Sequence, residues 1–322
     1  MVPEMNAVTL EETIVQYLFV ILSAPLFSGI LNKAKARVES RKGPSILQPY
    51  YDLHKLFRKE SVIPENSSLL FVAIPYVAFG IYSLIALIIP VLVPEPVYFT
   101  YSGDLLAGAI LFSLVGFLKM VAAMDSRSNY SAMGASRVVS FTFLSEATLI
   151  MVFFGVSLIT GTNNPYVTNH FLITFPSANL NLPHVFATLA FFMLFFYETG
   201  KIPVESEGNQ ELGMVDSAIN YEYSGKLLAI NKWTSHIKQY LLGSVLLNVF
   251  LIPWGLTSTW PAFLLDIPVM MGKWLLLILI VIVVETTFAK LRLYRIIDFL
   301  AVASTPVASS IALRKHMALE DE

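Results

Sequence analysis

Six carboxylates crowd into the 29 residues from Tyr197 to Gly225: Glu198, Glu205, Glu207, Glu211, Asp216 and Glu222. Between them stand Ile202, Pro203, Val204, Leu212, Met214, Val215, Ile219 and Tyr221, so the segment has apolar residues with which to pack. Carboxylates held close together resist being ionised all at once and can share protons. Two more acids, Glu146 in SFTFLSEATLIMVFF and Glu285 in IVIVVETTFAK, lie inside apolar runs. A carboxylate there is costly unless it is paired, protonated or hydrated. With Glu198 they describe a line of titratable groups from a membrane boundary toward the bilayer centre, as proton relays use. Each also has a plainer reading. Lys201 and Lys290 stand three and five residues from Glu198 and Glu285, so interfacial ion pairs would explain both. Glu146 has Lys119 as a candidate partner, and an acidic loop can simply be solvated.

The elements that must position these acids are membrane helices. The chain of 322 residues is 56% hydrophobic and 14% charged, with a mean hydropathy of +0.66, which fits an all-α polytopic membrane protein better than a water-facing globule. A bilayer-spanning helix needs about 20 apolar residues, and eight segments qualify: 13–31, 69–93, 104–124, 138–160, 184–200, 239–257, 268–288 and 296–313, the last being the weakest. Residues 1–322 read as one membrane domain. Lys and Arg alternate strictly across the connections, eight between the first two segments, then none, two, none, four, none and three. By the positive-inside rule this puts both termini outside a cell membrane, and the loops 32–68 and 201–238 in the cytoplasm. Acids precede the first apolar run and no Lys or Arg occurs before Lys33, so residues 14–31 read as a retained span. Glu146 follows Arg137 by nine residues, about 14 Å along a helix that rises about 1.5 Å per residue, which sets it close to the bilayer midplane.

The first long loop reads AKARVESRKGPSILQPYYDLHKLFRKES. Ile46, Tyr50, Leu53, Leu56 and Phe57 recur at helical spacing opposite Gln48, Asp52, Lys55 and Lys59, which predicts a short amphipathic helix in the membrane interface, introduced by Pro44 and Pro49. Arg37, Glu39, Arg41, Gly43, Pro44, Gln48, Asp52 and Lys55 form a docking or ligand-lining surface or, more plainly, a positive-inside anchor. With no cysteine the chain offers no thiolate to an iron–sulfur cluster. Its five histidines, His54, His170, His184, His236 and His316, are scattered without an i, i+4 pair, so no metal site is expected. P-loop, dinucleotide and GxSxG motifs are missing from the sequence. Net charge near zero argues against a nucleic-acid partner.

Three segments together resemble the membrane anchor subunit shared by respiratory complex I, where it is called subunit 1, and membrane-bound [NiFe] hydrogenases. They are Arg37-x-Glu39-x-Arg41-x-Gly43-Pro44 with Gln48, Asp52, Lys55 and Lys59–Glu60; Tyr130-x-x-Met133-Gly134-Ala135-x-Arg137 leading to Glu146; and Glu198-Thr199-Gly200-Lys201-x-Pro203 with Glu211 and Glu222-Tyr223-Ser224-Gly225. The resemblance covers almost the whole chain. It implies a non-catalytic subunit that carries no cofactor itself and docks a hydrophilic arm bearing iron–sulfur clusters and a NiFe centre. It also implies antiporter-like membrane partners. Glu146, Glu198, Glu211 and Glu222 match the family's acidic positions; Glu205, Glu207 and Asp216 fall in the same loop, with Glu285 beyond it. Arg37, Glu39 and Arg41 match the arm-facing segment, with Arg137 and Lys201 beside the chamber. Where the quinone-reducing branch has an arginine and Phe-Asp-Leu, this chain has Lys201 and Val204-Glu205-Ser206. That similarity to the hydrogenase branch argues against a quinone site. The expected function is to link electron transfer from ferredoxin or formate to protons with proton or sodium translocation. The alternatives are the quinone-chamber subunit of a complex I-type enzyme, a sulfur-reducing relative, a secondary transporter, which would need inverted repeats that the sequence does not display, and a static structural anchor.

Overall fold

The computed structural model describes residues 7–92, 103–200, 218–256, 262–287, 295 and 297–305. Among them the fold is helical, with no strand. The helices are α1 (Ala7–Val38), α2 (Gln48–Phe57), α3 (Leu69–Ile88), α4 (Leu105–Asp125), α5 (Asn129–Thr160), α6 (Pro165–Thr174), α7 (Pro176–Asn179), α8 (Leu182–Glu198), α9 (Gly225–Val245) and α10 (Asp266–Thr287). A π-helix over Leu246–Leu251 continues α9, and 297–305 is helical. Five helices are long and apolar enough to cross a membrane, namely α1, α3, α4, α5 and α10, and α8 is a shorter apolar helix. The chain is thus an all-α, multi-pass membrane protein. α5 begins at Asn129, nine residues before the apolar segment that marks it in the sequence, because buried Ser131, Gly134 and Ala135 continue its packed face.

The amphipathic segment of the first loop forms α2. Pro49 at its first turn and Leu53 are buried, whereas Asp52 and Lys55 are exposed. The Tyr50 hydroxyl donates to the Leu22 carbonyl of α1, and Phe57 meets Trp233 of α9 edge-on at 6.2 Å. These contacts lay α2 across the bundle end formed by the C-terminal part of α1 and the start of α9. At the same end Asp125, which closes α4, accepts from the Ser68 and Phe71 amides and the Ser68 hydroxyl at 2.8–3.2 Å. The orphan donors that open α3 are thereby satisfied by the helix before which it packs.

One hydrophobic core runs through α1, α3, α4, α5, α6, α8, α9, the π-helix and α10. Small residues set the closest helix approaches. The Trp274 indole of α10 fills the space over Gly243 of α9 and stacks on Tyr240 at 4.9 Å and 10°, while Phe27 of α1 contacts both rings. Aromatic pairs at these separations add about 0.5–1.5 kcal/mol beyond their burial.

Candidate functional site

The acids predicted to act together divide into a located cluster and a segment outside the described residues. Glu205, Glu207, Glu211, Asp216 and Lys201 belong to the latter. Glu198 is the last residue of α8, so the acidic segment continues directly from it. Its Oε2 accepts from Lys238 Nζ of α9 at 2.5 Å, and both side chains are mostly buried, at 14% and 24% exposure. The partner is therefore Lys238 on a neighbouring helix, supplied by tertiary packing.

Glu146 is half-buried on α5 within electrostatic reach of both Glu198 and Lys238. Its carboxyl lies over Gly116 of α4, where an added Cβ would stand 3.5 Å from Oε1. Lys119, the sequence candidate for its partner, donates to the Ser235 hydroxyl of α9 at 3.5 Å. Buried Tyr82 of α3 feels the charges of the same two residues. The described cluster is thus carboxyl, ammonium, carboxyl and phenol, contributed by α5, α9, α8 and α3. Two carboxylates around one ammonium carry a net charge of −1, so the group can take up one proton and become neutral.

Glu285 stands apart from this cluster. It is on α10, with its side chain 1% exposed, and is paired with Lys35 of α1. The pair closes the bundle at the α2 end. In the first loop Arg41 pairs with Glu39, Gln48 donates to Asp52 at 2.8 Å, and Arg37, Pro44 and Lys55 are exposed. Gly43 adopts φ +66°, and a Cβ there would come 2.7 Å from the Ala36 side chain, so glycine is needed for the turn that returns the chain from α1. Arg137 is half-buried on α5, and Glu222 is half-buried between the 3-10 turn Ala218–Asn220 and α9.

Two sequence motifs prove to be joints in the fold. Tyr223 stacks on Phe71 at 4.1 Å and 6° and donates to the Phe71 carbonyl at 3.0 Å; burial pushes its phenol above the ordinary range. The Ser224 hydroxyl accepts from Val62 N at 2.7 Å and donates to Val62 O at 3.2 Å. Gly225, at φ +50°, lets α9 begin against the Glu60 carbonyl. Farther along, Ser131 donates to the Ala218 carbonyl at 3.4 Å, and Ala135 packs with Ala123 and Ile219. Both joints tie the returning end of the acidic segment to α3, α5 and the first loop.

Sequence reasoning missed Lys273, Asn248 and Asp266. All three are buried at the opposite end of the bundle. The signal was present in the sequence as a lysine within an apolar run, VMMGKWLLL.

The sequence profile of the family described as NADH dehydrogenase matches residues 12–313. The chain is 32% identical to formate hydrogenlyase subunit 4 of Escherichia coli over 284 residues, which is 87% of this chain and 90% of that protein. It is likewise 32% identical to hydrogenase-4 component C of E. coli, over 86% of this chain and 87% of that one. To NADH-ubiquinone oxidoreductase chain 1 of Ateles paniscus it is 25% identical, over 93% and 94% of the two chains. Among solved structures, a chain of the archaeal membrane-bound sulfane sulfur reductase superposes with a TM-score of 0.77 at 23% identity, covering 94% of this chain and 99% of that one; this is a likeness of fold.

Proposed function

The chain belongs to the NADH dehydrogenase family, that of complex I subunit 1, and from that membership we propose that it is the membrane anchor and coupling subunit of a hydrogenase-type complex. It links electron transfer in a peripheral arm to proton or sodium translocation. The relatives named for formate hydrogenlyase and hydrogenase-4 support the hydrogenase-type reading. On this proposal the arm carries iron–sulfur clusters and a NiFe centre and docks on the cytoplasmic loops, antiporter-like subunits flank the bundle, and this chain binds no cofactor or quinone. The segment 201–217, with Glu205, Glu207, Glu211 and Asp216, receives the charge change from the arm, and Glu222 marks its return to α9. Arg37, Glu39, Arg41, Gln48, Asp52, Lys55, Arg137 and Lys201 form the docking side.

The observation that carries this proposal is the convergence of Glu146, Glu198 and Lys238. Glu198 joins the acidic segment to the interior, and its ammonium partner is within electrostatic reach of a carboxyl inside a membrane helix. A proton gained at one carboxyl changes the field at the other, which is what coupling requires. Glu146→Gln in the assembled complex is expected to preserve assembly and most electron transfer while abolishing ion translocation. Unchanged pumping by that variant in reconstituted vesicles would remove Glu146 from the mechanism.

A second reading has specific support in the two interhelical ion pairs, Glu198–Lys238 and Glu285–Lys35. In that reading the acids are static fastenings, and neutralising them lowers the yield of complex but leaves the ions moved per electron unchanged.

A further inference from the structure

At the C-terminal end of α2 an open cavity of about 560 Å3 is lined by Phe57, Arg58, Lys59, Glu60, Ser61 and Lys226. Small-molecule sites occupy about 300–1,000 Å3, so the space is large enough for an organic ligand. Arg58 to Ser61 follow α2, whereas Lys226 belongs to the first turn of α9. Backbone contacts hold these two segments together. Lys226 N donates to the Ser61 hydroxyl at 3.0 Å, and the Ser224 hydroxyl bonds both polar atoms of the Val62 backbone. Gly225 closes on the Glu60 carbonyl, where a Cβ would stand at 2.4 Å. The stems of the three cations are thus fixed around one opening.

Arg58, Lys59 and Lys226 are exposed and make no ion pair among the described residues. Glu60, also exposed, is the one carboxylate on the lining, so the cavity stays positive. A single exposed lysine without a partner is ordinary. Lys226 is less so, because it stands in the first turn of α9, where the helix dipole disfavours a cation, and neither helix stability nor an ion pair accounts for it. Apolar surface adjoins this charge. Val62 and Ile63, next along the chain, are 72% and 48% exposed, and Leu69 and Leu70 at the start of α3 are 81% and 52% exposed. The stacking of Tyr223 on Phe71 sets the start of α9 level with the first turn of α3, a helix long and apolar enough to cross a membrane. The cavity therefore lies at the polar boundary of that span.

We propose that this cavity binds the phosphate headgroup of an anionic phospholipid, with Arg58, Lys59 and Lys226 around the phosphate and the acyl chains along Val62, Ile63 and the exposed start of α3. Basic pockets beside membrane helices take anionic headgroups in this way. Positive charge and apolar surface side by side select a lipid over a free phosphate, which would leave the apolar surface bare. Glu60 opposes the phosphate and so limits the affinity. The inference does not depend on the hydrogenase-type reading, and its three cations are separate from the docking side proposed above.

The test uses the full chain and the assembled complex in nanodiscs of equal parts phosphatidylglycerol and phosphatidylcholine, with the lipids that stay bound on release counted by native mass spectrometry. Wild type is expected to keep phosphatidylglycerol in preference to phosphatidylcholine. Lys226→Gln should lower that retention about fivefold, the weight of one interfacial cation, and Glu60→Gln should raise it. Lys42→Gln, which removes an exposed cation of the same loop outside the cavity, should leave it unchanged. A damaged fold does not produce the rise in Glu60→Gln, so that variant decides if Lys226→Gln fails to fold, and unchanged or lower retention in it overturns the proposal. Equal losses in Lys226→Gln and Lys42→Gln overturn it too, because diffuse surface charge is then sufficient, as does a wild type without preference. Displacement of the lipid by excess inorganic phosphate would give the cavity to a free anion, and loss of the lipid on assembly of the complex would give it to a partner protein. Either result overturns the lipid.

Discussion

At the scale of single residues, function and fold compete for the same acids. Glu198 is both the start of the acidic segment and half of an interhelical ion pair. Removing one partner of a buried pair leaves an uncompensated charge, with a cost of up to about 3–5 kcal/mol, whereas removing both is far milder. Lys238→Met is therefore expected to lower the thermal stability and yield of the complex, and Lys238→Met with Glu198→Gln to recover most of that loss. Pumping separates the two readings of the site. The double variant should assemble and transfer electrons but move few ions if the pair couples, and should keep the wild-type ratio of ions to electrons if it only fastens. The identities of Glu146, Glu198 and Glu285 as singular residues were legible in the sequence, since charge inside an apolar run stands out. Their described partners were not: the structure pairs Glu198 with Lys238 and Glu285 with Lys35, whereas Lys201 and Lys290 lie outside the described residues.

At the scale of elements, the run Glu222-Tyr223-Ser224-Gly225 shows why a motif need not be a site. Three of its four residues fasten the start of α9 to the first loop and to α3. Gly225→Ala places a Cβ against the Glu60 backbone at a positive φ, a strain with no flexible neighbour to absorb it. It is expected to prevent assembly of the complex, scored by co-purification. Ser224→Ala removes two hydrogen bonds of about 1 kcal/mol each and should lower the melting temperature while leaving electron transfer intact. Helix α2 was legible because its apolar period matched a helix and Pro49 stood at its first turn. The π-helix was not legible, as LLNVFL carries no periodicity distinct from the helix it continues.

At the scale of the molecule, the bundle has two unlike ends. One gathers α2, the exposed basic loop, the Lys35–Glu285 pair and Glu198. The other gathers the π-helix, Lys273, Asp266, Asn169 and Gln16, whose amide donates to the Ala86 and Ile89 carbonyls at 3.1 Å. We propose that the first end faces the cytoplasm, the side that the positive-inside count favours. The natural lack of cysteine makes this easy to check. In oriented membranes a membrane-impermeant maleimide should label Lys42→Cys only from the cytoplasmic side and Leu180→Cys, 83% exposed in the wild type, only from the outer side. Reversed labelling would invert the orientation and with it the direction of coupling.

The sequence by itself determined that this is a helical membrane protein and which acids are out of place among its apolar segments. Those properties follow from composition and local period, because lipid forces each span to satisfy its own backbone and leaves hydropathy readable along the chain. Only the tertiary structure decided who pairs with whom. Glu146 comes within electrostatic reach of the Glu198–Lys238 pair because α5 packs against α8, which the ion pair joins to α9. Lys273 of α10 donates to the Asn248 side-chain oxygen and the Ile252 carbonyl because the π-helix ending α9 packs against α10. Charge pairing across helices depends on rotation and depth in the bundle, and neither is written in the order of residues along one chain.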